Sequence, residues 1–376
     1  MDFGQQRVVA VPQKVCALEL LEHWQKPRDE GTVTVMACKQ FAHGCNTITS
    51  VENLLAAWRE FVIGKHHRRD VQEFEIRLMD NILALHRDLA AGTYHHSSYE
   101  AFSISDPKPR RIHKATVRDR LLHHAIHRIL YPFFDRTFIA HSYSCRVGKG
   151  MHRALNVFRT FARKSSRNHT RTAWVLKCDV KQFFATIDHG TLIAILRAHI
   201  QDQEIVELLA EVIQSFRSGQ SGIGLPLGNL TSQLFANVYM NRLDHFVKHA
   251  LRARHYIRYS DDFVILSMDR VWLEAILPQI DGFLRAELKL SLHPGKVSIH
   301  TAASGIDFLG WVHFPDHRVL RTVTKRRMMH RIQLKARGRQ TLRSYRGLLS
   351  HGNTCKLERH LTNFEEGASG KVLPPR

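Results

Sequence analysis

The sequence predicts an α+β fold in which helices pack on one face of a mostly antiparallel sheet. Apolar residues recur at helical spacing between Thr47 and Ala91, which indicates a helical start to the fold. Short β-prone runs at 174–176, 255–259 and 263–266 alternate with longer helical patterns further along the chain. Together these observations favour mixed secondary structure around a sheet.

The first helical region is expected to end at Gly92, because glycine readily adopts the backbone conformation that stops a helix. A proline-containing stretch at 105–112 is expected to interrupt the chain before a second helix. That helix carries apolar residues on one side from Leu121 to Leu130, and it is expected to stop near Pro132.

The middle of the chain has a strand-like pattern followed by helical ones. Trp174–Leu176 is a short apolar run that predicts a buried strand ending at Asp179. Helical patterns follow at roughly 190–216 and 229–251.

A hairpin is predicted after these helices. The runs His255–Tyr259 and Phe263–Leu266 are β-prone and are separated only by Ser260-Asp261-Asp262, so the acids are expected at a tight turn. A further strand pair is predicted around Ile306–Leu309 and Val312–Phe314.

The charge balance indicates a polyanionic partner. Lysine and arginine outnumber aspartate and glutamate by 55 to 34, which gives a formal net charge of +21. Such an excess suits phosphate binding, although a basic charge also occurs in soluble proteins without that function. Between Arg318 and Arg346 there are eleven Lys or Arg residues and no acid. With no acids available for pairing, this segment favours nucleic-acid contact over a salt-bridged helix face.

The composition argues against several classes of protein. A hydrophobic fraction of 44% is ordinary for a folded globular chain. The six cysteines are too dispersed for a disulfide framework. No apolar stretch approaches the roughly 18 residues needed to span a bilayer, and the first residues do not have the pattern of a secretory signal. We therefore expect a cytoplasmic protein that does not bind a membrane.

Asp179, Asp261 and Asp262 are the strongest candidates for catalysis. Adjacent aspartates between apolar β-runs repel one another unless a cation compensates their charges. Mg²⁺ prefers carboxylate oxygens together with substrate phosphates. With Asp179 as a third acid, such a site suits two ions about 3.5–4 Å apart, acting on an attacking hydroxyl and a leaving pyrophosphate. The alternative is an ordinary turn, since aspartate is common in turns.

Several sequence blocks resemble those of reverse transcriptases. Tyr259-Ser260-Asp261-Asp262 resembles the Tyr-x-Asp-Asp box of that family, and Lys177–Phe184 resembles its first metal-binding block. Other blocks follow the family's order over roughly residues 47–350. They are Pro109–Ile112 through Asp119-Arg120 and Ser144–Gly150 in the fingers, Gly224–Gln233 in the nucleotide pocket, Leu292–Lys296 in the palm and Phe308–Trp311 in the primer grip.

The resemblance implies a right-hand polymerase with fingers, a palm whose antiparallel sheet packs on helices, and a small helical thumb. The implied domains are an N-terminal extension at 1–45, fingers at 46–170, a palm at 171–315 with pocket and finger elements interleaved at 190–230, and a basic thumb at 316–376. The implied activity is DNA synthesis on an RNA template from a DNA or RNA primer and deoxynucleotides. The implied cofactors are two Mg²⁺ ions, for which Mn²⁺ can substitute, and the implied origin is bacterial or phage.

The resemblance also assigns roles to single residues. Metal binding falls to Asp179, to the backbone carbonyl of Val180, to Asp261 and to Asp262. Lys296 would protonate the leaving pyrophosphate, the alternative being a surface lysine without a specific role.

The remaining implied contacts concern nucleotide and nucleic acid. Phe184 would clash with a ribose 2′-hydroxyl and so select deoxynucleotides; the alternative is a core aromatic. The other implied nucleotide contacts are Lys108, Arg110, Arg111, Leu227, Gly228 and Gln233. The implied nucleic-acid contacts are Arg146, Lys149, Phe308, Leu309, Gly310, Lys325, Arg326 and Arg327.

The pocket block narrows the subtype. Leu227-Gly228 followed by Ser232-Gln233 resembles the enzymes of diversity-generating retroelements, which misincorporate opposite template adenines and work with a small basic oligomeric accessory protein. An aliphatic Leu227 in place of a long amide would remove hydrogen bonds that hold the incoming nucleotide, which gives a physical reason for low fidelity.

Three alternatives to this subtype stay open. The first is an enzyme of an antiphage defence system that copies a non-coding RNA. The second is an intron-like or retron-like enzyme. A remote third is a non-catalytic RNA-binding protein on a polymerase fold, in which retained acids would repel phosphate unless metals intervened.

Overall fold

The computed structural model describes residues 39–105, 109–217, 221–334 and 339–369, and its first described segment is helical. The helices are α1 (Cys45–Thr49), α2 (Val51–Val62), α3 (Arg69–Ile76) and α4 (Leu78–Ala90). Ser50 caps α2 by accepting a hydrogen bond from the Asn53 amide at 3.2 Å. Gly92 follows α4 with φ +66°, so the predicted helical region and its stop are confirmed.

An exposed hairpin follows, where the sequence predicted only an interruption. Strands β1 (Glu100–Ile104) and β2 (Arg110–Lys114) pair antiparallel, with Ile104 opposite Arg110. Most side chains in both strands are exposed or half-buried, so neither strand carries the apolar alternation that signals a strand.

Helix α5 (Val117–Asp135) passes through Pro132, so the prediction that it stops near that residue is wrong by about one turn. Pro132 has no N–H group and so cannot donate a hydrogen bond to the preceding turn. Only three residues of the helix follow it, so the disruption affects only the end of the helix. Phe134 beyond it is 1% exposed, and its burial anchors this last turn in the core.

The central segment contains one strand and several helices. The elements are α6 (Met151–Ser165), β3 (Trp174–Asp179), α7 (Phe183–Thr186), α8 (His189–Arg197), α9 (Gln203–Gln214) and α10 (Leu230–His245). The predicted helical stretch 190–216 is therefore two helices. Between them Ile200 forms a β-bridge with Phe41, and Asp202 caps α9 by accepting from the Ile205 amide at 3.0 Å.

The predicted hairpin is confirmed and belongs to a four-stranded antiparallel sheet. Its strands β4 (His255–Tyr259) and β5 (Asp262–Ser267) are followed by α11 (Arg270–Leu288) and β6 (Ser298–Thr301). The strand order is β4-β5-β3-β6, so β3 and β5 are the central strands.

Both faces of this sheet are covered, whereas the sequence predicted helices on one face. In β5, Phe263 and Ile265 join the larger hydrophobic core, to which α10 and α11 contribute. Val264 and Leu266 join a second core, which includes Phe158 of α6. Burial of successive side chains on opposite faces explains why β5 reads as a continuous apolar run.

The C-terminal segment combines a small sheet and three helices. Strands β7 (Ile306–Phe308) and β8 (Trp311–His313) are the predicted pair, and a third strand that was not predicted completes the sheet. This strand is β9 (Arg318–Leu320), and the helices are α12 (Thr322–Leu334), α13 (Arg339–Leu349) and α14 (Cys355–Ser369). The predicted α+β class is confirmed. Across the described ranges, no helix is long and apolar enough to cross a membrane.

Candidate active site

Two of the predicted acids lie opposite each other on the central strands. Strand β3 ends at Asp179 and β5 begins at Asp262, and the antiparallel register pairs the two residues. Like charges directly opposite on a sheet destabilise it. This pairing therefore indicates a site where positive charge offsets the repulsion between the two carboxylates.

The third acid lies in the turn that joins β4 to β5. Tyr259 pairs with Asp262, so Ser260 and Asp261 form a two-residue loop. Ser260 has φ +60°, a conformation that is uncommon for residues other than glycine. The Val180 amide donates to the Asp261 carbonyl oxygen at 3.1 Å, which ties the turn to the chain just beyond β3.

The electrostatics of the acids indicate a demand for positive charge. Burial raises the pKa of Asp262 to about 7; the Asp179 and Asp261 carboxylates add to the rise and Lys177 opposes it. Burial also raises the pKa of Asp261, and Asp179 contributes again. The Oδ1 atom of Asp262 is buried without a hydrogen-bond partner. A bound cation would relieve both the repulsion and the unpaired oxygen.

Lys296 supplies one positive charge to this site. It ends a short 3₁₀ turn at Pro294–Lys296, and its Nζ donates to Asp179 Oδ1 at 2.8 Å. The same turn is fixed to the strand end, because the His293 amide donates to the Asp179 carbonyl oxygen at 2.8 Å. The structure thus brings four of the predicted residues together, namely Asp179, Asp261, Asp262 and Lys296.

The donor set fits a hard divalent cation. Carboxylate oxygens are the preferred protein ligands of Mg²⁺, which commonly uses one or two of them together with substrate phosphates. Val180, predicted to add its carbonyl, directly follows Asp179 and is buried. Within the described part of the chain no three His, Cys, Asp or Glu residues form a ready-made metal cage. Mg²⁺ sites of the kind proposed take their remaining ligands from substrate phosphates.

The predicted nucleotide-pocket block lies between α7 and β2. The Leu225 amide donates to the Phe184 carbonyl oxygen at 2.7 Å, and the His113 amide donates to the Leu227 carbonyl oxygen at 3.1 Å. Phe184 is half-buried against the larger core. Gly228 has φ +108°, and a Cβ there would lie 3.0 Å from Ile112 Cγ2, so this position favours glycine.

Two of the three charged residues predicted for the triphosphate lie on the β1–β2 hairpin. Arg110 and Arg111 are exposed in β2, opposite Ile104 and Ser103. Lys108 lies outside the described residues. Gln233 lies near the start of α10 and is half-buried.

A basic cavity was not predicted from the sequence. It has a volume of about 340 Å³ and adjoins Gly228 and Gln233. The cationic side chains that line it are Lys65, Arg68, Lys114 and Arg120. Asp70 neutralises part of this charge, since it pairs with Lys114 at 2.9 Å and Arg120 at 2.6 Å. The basic run Lys65-His-His-Arg68-Arg69 after α2 was the available sequence signal.

Arg146, predicted to contact nucleic acid, forms its hydrogen bonds within the protein. Its side chain is 5% exposed, and Nε donates to Asp135 Oδ1 at 2.7 Å. Its Nη1 donates to the carbonyl oxygens of Ile139 and Ser142. This geometry favours a structural role for Arg146. Lys149 Nζ donates to the Ala140 carbonyl oxygen at 2.9 Å.

The predicted primer-grip residues form the turn between β7 and β8. Phe308 is fully buried and pairs with Trp311, so Leu309 and Gly310 make a two-residue turn in which both have positive φ. Such a turn suits a hairpin, but leucine is unusual in it.

The predicted basic residues of the C-terminal segment lie on α12. Lys325 and Arg326 are exposed and Arg327 is half-buried, while Met328 and Ile332 of the same helix join the second core. The helix therefore presents cations on one side and packs with the other.

Comparison with known proteins assigns the chain to a family. Residues 105–313 match the family model described as reverse transcriptase (RNA-dependent DNA polymerase). Protein YkfC of Escherichia coli is 27% identical over 256 residues, which cover 58% of this chain and 65% of that protein.

Two further relatives carry intron-derived names. The group II intron-encoded protein LtrA of Lactococcus lactis is 28% identical over 145 residues, covering 37% of this chain and 23% of LtrA. The putative COX1/OXI3 intron 1 protein of Saccharomyces cerevisiae is 24% identical over 155 residues, covering 39% and 18%. The matched region is thus less than two thirds of each relative. Because the family match spans more than half of the chain and includes Asp179, Asp261 and Asp262, the chain belongs to the reverse transcriptase family.

Proposed function

We propose that this protein is an RNA-directed DNA polymerase that extends a DNA or RNA primer with deoxynucleotides on an RNA template. The observation that carries the proposal is the convergence of Asp179, Asp261 and Asp262 at the ends of the two central strands, where burial and mutual repulsion call for cations. Family membership supports the same activity.

Asp179 and Asp261 would hold two Mg²⁺ ions, or Mn²⁺, with the Val180 carbonyl and Asp262 completing the protein's share. Such ions, when bound, neutralise charge on the triphosphate and lower the pKa of the primer 3′-hydroxyl. The protein's own contribution is to fix these oxygens on adjoining strands, so little reorganisation is needed at the moment of reaction.

Lys296 would act as the general acid. Its ammonium already lies within hydrogen-bond distance of Asp179, and so next to the place where pyrophosphate would leave. In the proposed step the primer 3′-hydroxyl gives its proton to solvent and its oxygen bonds to the α-phosphorus. The bond from that phosphorus to the oxygen it shares with the β-phosphate breaks, and Lys296 gives its proton to the departing pyrophosphate.

The incoming nucleotide would lie between the acids and the pocket block. Phe184 would exclude a 2′-hydroxyl, since it is fixed by packing on the core and by its carbonyl bond to Leu225. The remaining contacts in this proposal are Lys108, Arg110 and Arg111 on the triphosphate and Leu227, Gly228 and Gln233 along the pocket.

Nucleic acid would bind to the basic surfaces. Residues 46–170, 171–315 and 316–376 are proposed as fingers, palm and thumb, after an N-terminal extension at 1–45. The exposed cations of α12 would contact the primer–template backbone, together with Lys149 and the turn at Phe308–Gly310. The cations of the cavity beside Gly228 give the fingers a second phosphate-binding surface.

The proposed subtype is the error-prone enzyme of a diversity-generating retroelement, acting with a small basic oligomeric accessory protein. Leu227 supports it, because an aliphatic side chain there offers no hydrogen bond to the nucleotide. A second candidate is an enzyme that copies an intron RNA, which the names of LtrA and the yeast relative favour. A defence enzyme copying a non-coding RNA is a third.

The test is Mg²⁺-dependent deoxynucleotide incorporation on a primed RNA template that contains adenines, comparing the wild type with Asp261→Asn. We expect incorporation by the wild type and none by the variant, with RNA affinity retained. Sequencing the product separates the subtypes: errors concentrated at template adenines support the retroelement enzyme, and evenly distributed rare errors support the intron type. A variant that polymerises as well as the wild type would refute the site.

A further inference from the structure

Arg258 is a fully buried arginine next to the proposed catalytic turn. It lies on β4 two residues before Ser260, and its side chain is 1% exposed. Tyr256 lies on the same face of β4, towards the larger core, where apolar side chains predominate. A buried charge at such a position is costly unless it is paired and fully hydrogen-bonded.

The guanidinium of Arg258 meets an acceptor at each of its five N–H groups. Nε and Nη2 donate to the two carboxylate oxygens of Asp244, each at 2.7 Å, and Asp244 is fully buried on α10. Burial opposes the charge of Arg258, but Asp244 outweighs it, so the pKa of Arg258 is raised. The second Nη2 hydrogen goes to Ser142 Oγ at 3.0 Å, and Nη1 donates to Asn237 Oδ1 at 3.2 Å and to the Ser260 carbonyl oxygen at 3.1 Å.

The bond to Ser260 is the one that bears on the site. The Ser260 carbonyl belongs to the peptide unit that leads into Asp261, and Ser260 itself has the unfavourable φ of +60°. A donor that holds this carbonyl stabilises the strained turn, and it sets the direction in which the chain enters Asp261. On the other side, the Val180 amide holds the Asp261 carbonyl.

The same network fixes the turn to two other segments. The Arg258 amide donates to the His141 carbonyl oxygen and the Tyr143 amide donates to the Arg258 carbonyl oxygen, each at 3.0 Å. Asn237 of α10 donates through Nδ2 to the Ser144 carbonyl oxygen at 2.9 Å. Helix α10, the loop segment 141–144 and the catalytic turn therefore share one buried junction.

We propose that Arg258, anchored on Asp244, is a positioning residue that fixes the Ser260 peptide and so aims the Asp261 carboxylate. The inference rests on the proposed polymerase function and names a determinant of that same site. It predicts that breaking the hydrogen bond to Ser260 lowers the rate of the chemical step without weakening the binding of nucleotide or RNA.

The first test is Arg258→Lys, which keeps a cation for Asp244 but cannot serve Asp244 and Ser260 in the same geometry. We expect kcat for deoxynucleotide addition to fall roughly 10- to 100-fold, because small misplacements of catalytic groups have effects of that size. KM for the nucleotide and Kd for RNA should stay within about threefold of wild type. Assays run well below the Tm of the variant, so the folded protein is compared.

Tyr256→Phe is the matched control. The Tyr256 hydroxyl donates to the same Asp244 oxygen at 2.7 Å, and Tyr256 pairs with Ile265 within the sheet, four residues before Ser260. This variant should lower Tm while leaving kcat within about twofold of wild type. A kcat that followed Tm across both variants would mean that the network only stabilises the fold, and the inference would be overturned.

Ser260→Gly provides a rescue, since glycine adopts a positive φ without strain. In the Arg258→Lys background it should restore part of the missing kcat but leave Tm as low as before; no recovery of kcat would count against the proposal.

If Arg258→Lys is too unstable to assay, Asp244→Glu, which keeps both charges and displaces the guanidinium, should give the same fall in kcat. A wild type without Mg²⁺-dependent synthesis would refute the proposed function itself, whereas an active wild type with a fully active, folded Arg258→Lys would refute this inference alone.

Discussion

Lys296 Nζ lies 2.8 Å from Asp179 Oδ1, so an ammonium group adjoins the first of the three candidate catalytic aspartates. Lys296 is about half exposed and Asp179 is largely buried, so the lysine can leave the carboxylate more easily than the carboxylate can move. The pair gives Lys296 two roles in the proposed reaction. It balances the charge of the Asp179 carboxylate, and it is close enough to protonate the leaving group.

Lys296→Met should lower kcat by roughly 100-fold, the size of effect expected for loss of a general acid. RNA affinity should change little, because one exposed cation among many contributes only a small part of the phosphate binding. Single-turnover kinetics on a primed template measures the effect. Lys289→Met is the matched control, since Lys289 forms a similar 2.8 Å pair with Asp188, which is not one of the three acids. Equal losses in both variants would contradict the general-acid role.

Asp262 should make the stability of the metal-free protein depend on pH. Its folded-state pKa is about 7 and that of an unfolded aspartate is about 3.9, so the folded protein binds the proton more tightly. This contribution to the free energy of unfolding is complete below about pH 4 and is lost as the pH rises through 7. Urea unfolding in EDTA should therefore show the free energy of unfolding of the wild type falling relative to that of Asp262→Asn as the pH rises from 5 to 8.

Mg²⁺ should reverse this difference. A cation bound by the folded protein favours the ionised carboxylate, so added Mg²⁺ should raise Tm at pH 8 more for wild type than for Asp262→Asn. If the two proteins have parallel stability profiles with and without Mg²⁺, Asp262 neither carries the raised pKa nor belongs to a cation site.

The sequence signalled the acids because each lies in a locally readable context. Asp179 ends an apolar run, and Asp261 and Asp262 separate two β-prone runs, so strand pairing alone brings them together. The β1–β2 hairpin was missed because its strands are mostly exposed and carry no apolar period. The break between α8 and α9 contains Ile200, which forms a bridge with Phe41 that local spacing does not show.

The supporting residues of the site were harder to read. Arg258 looks like any surface cation in a strand until Asp244, on another element, is placed beside it. Arg146 shows the opposite case. Its place in a basic block suggests phosphate binding, yet its guanidinium donates hydrogen bonds to Asp135 and to backbone carbonyls. Charge patterns indicate a partner, but burial decides which cations remain available to it.

Phe184→Ala should allow ribonucleotides into the site. Removing the ring opens the space that a 2′-hydroxyl needs, while the backbone bond from Leu225 to residue 184 is unaffected by the substitution. We expect the ratio of kcat/KM for deoxynucleotide over ribonucleotide to fall by at least about tenfold, with the deoxynucleotide value itself changing less. A loss of folded protein would lower both values equally, so the ratio needs no separate control for folding. An unchanged ratio would show that discrimination lies elsewhere in the pocket.

Removing cations from α12 should weaken RNA binding and reduce its dependence on salt. Lys325 and Arg326 are exposed, so Lys325→Gln with Arg326→Gln should lower the slope of log affinity against log salt by about 0.7 to 0.9 for each phosphate that is no longer neutralised. Tm should hardly change, because neither side chain is buried. Arg146→Gln is the contrasting variant: its bonds to Asp135 and to backbone carbonyls predict a lower Tm and an unchanged salt slope. If instead Arg146→Gln reduces the slope and the α12 variant does not, the template backbone runs along the loop at Ser144–Gly150, and α12 has no part in holding it.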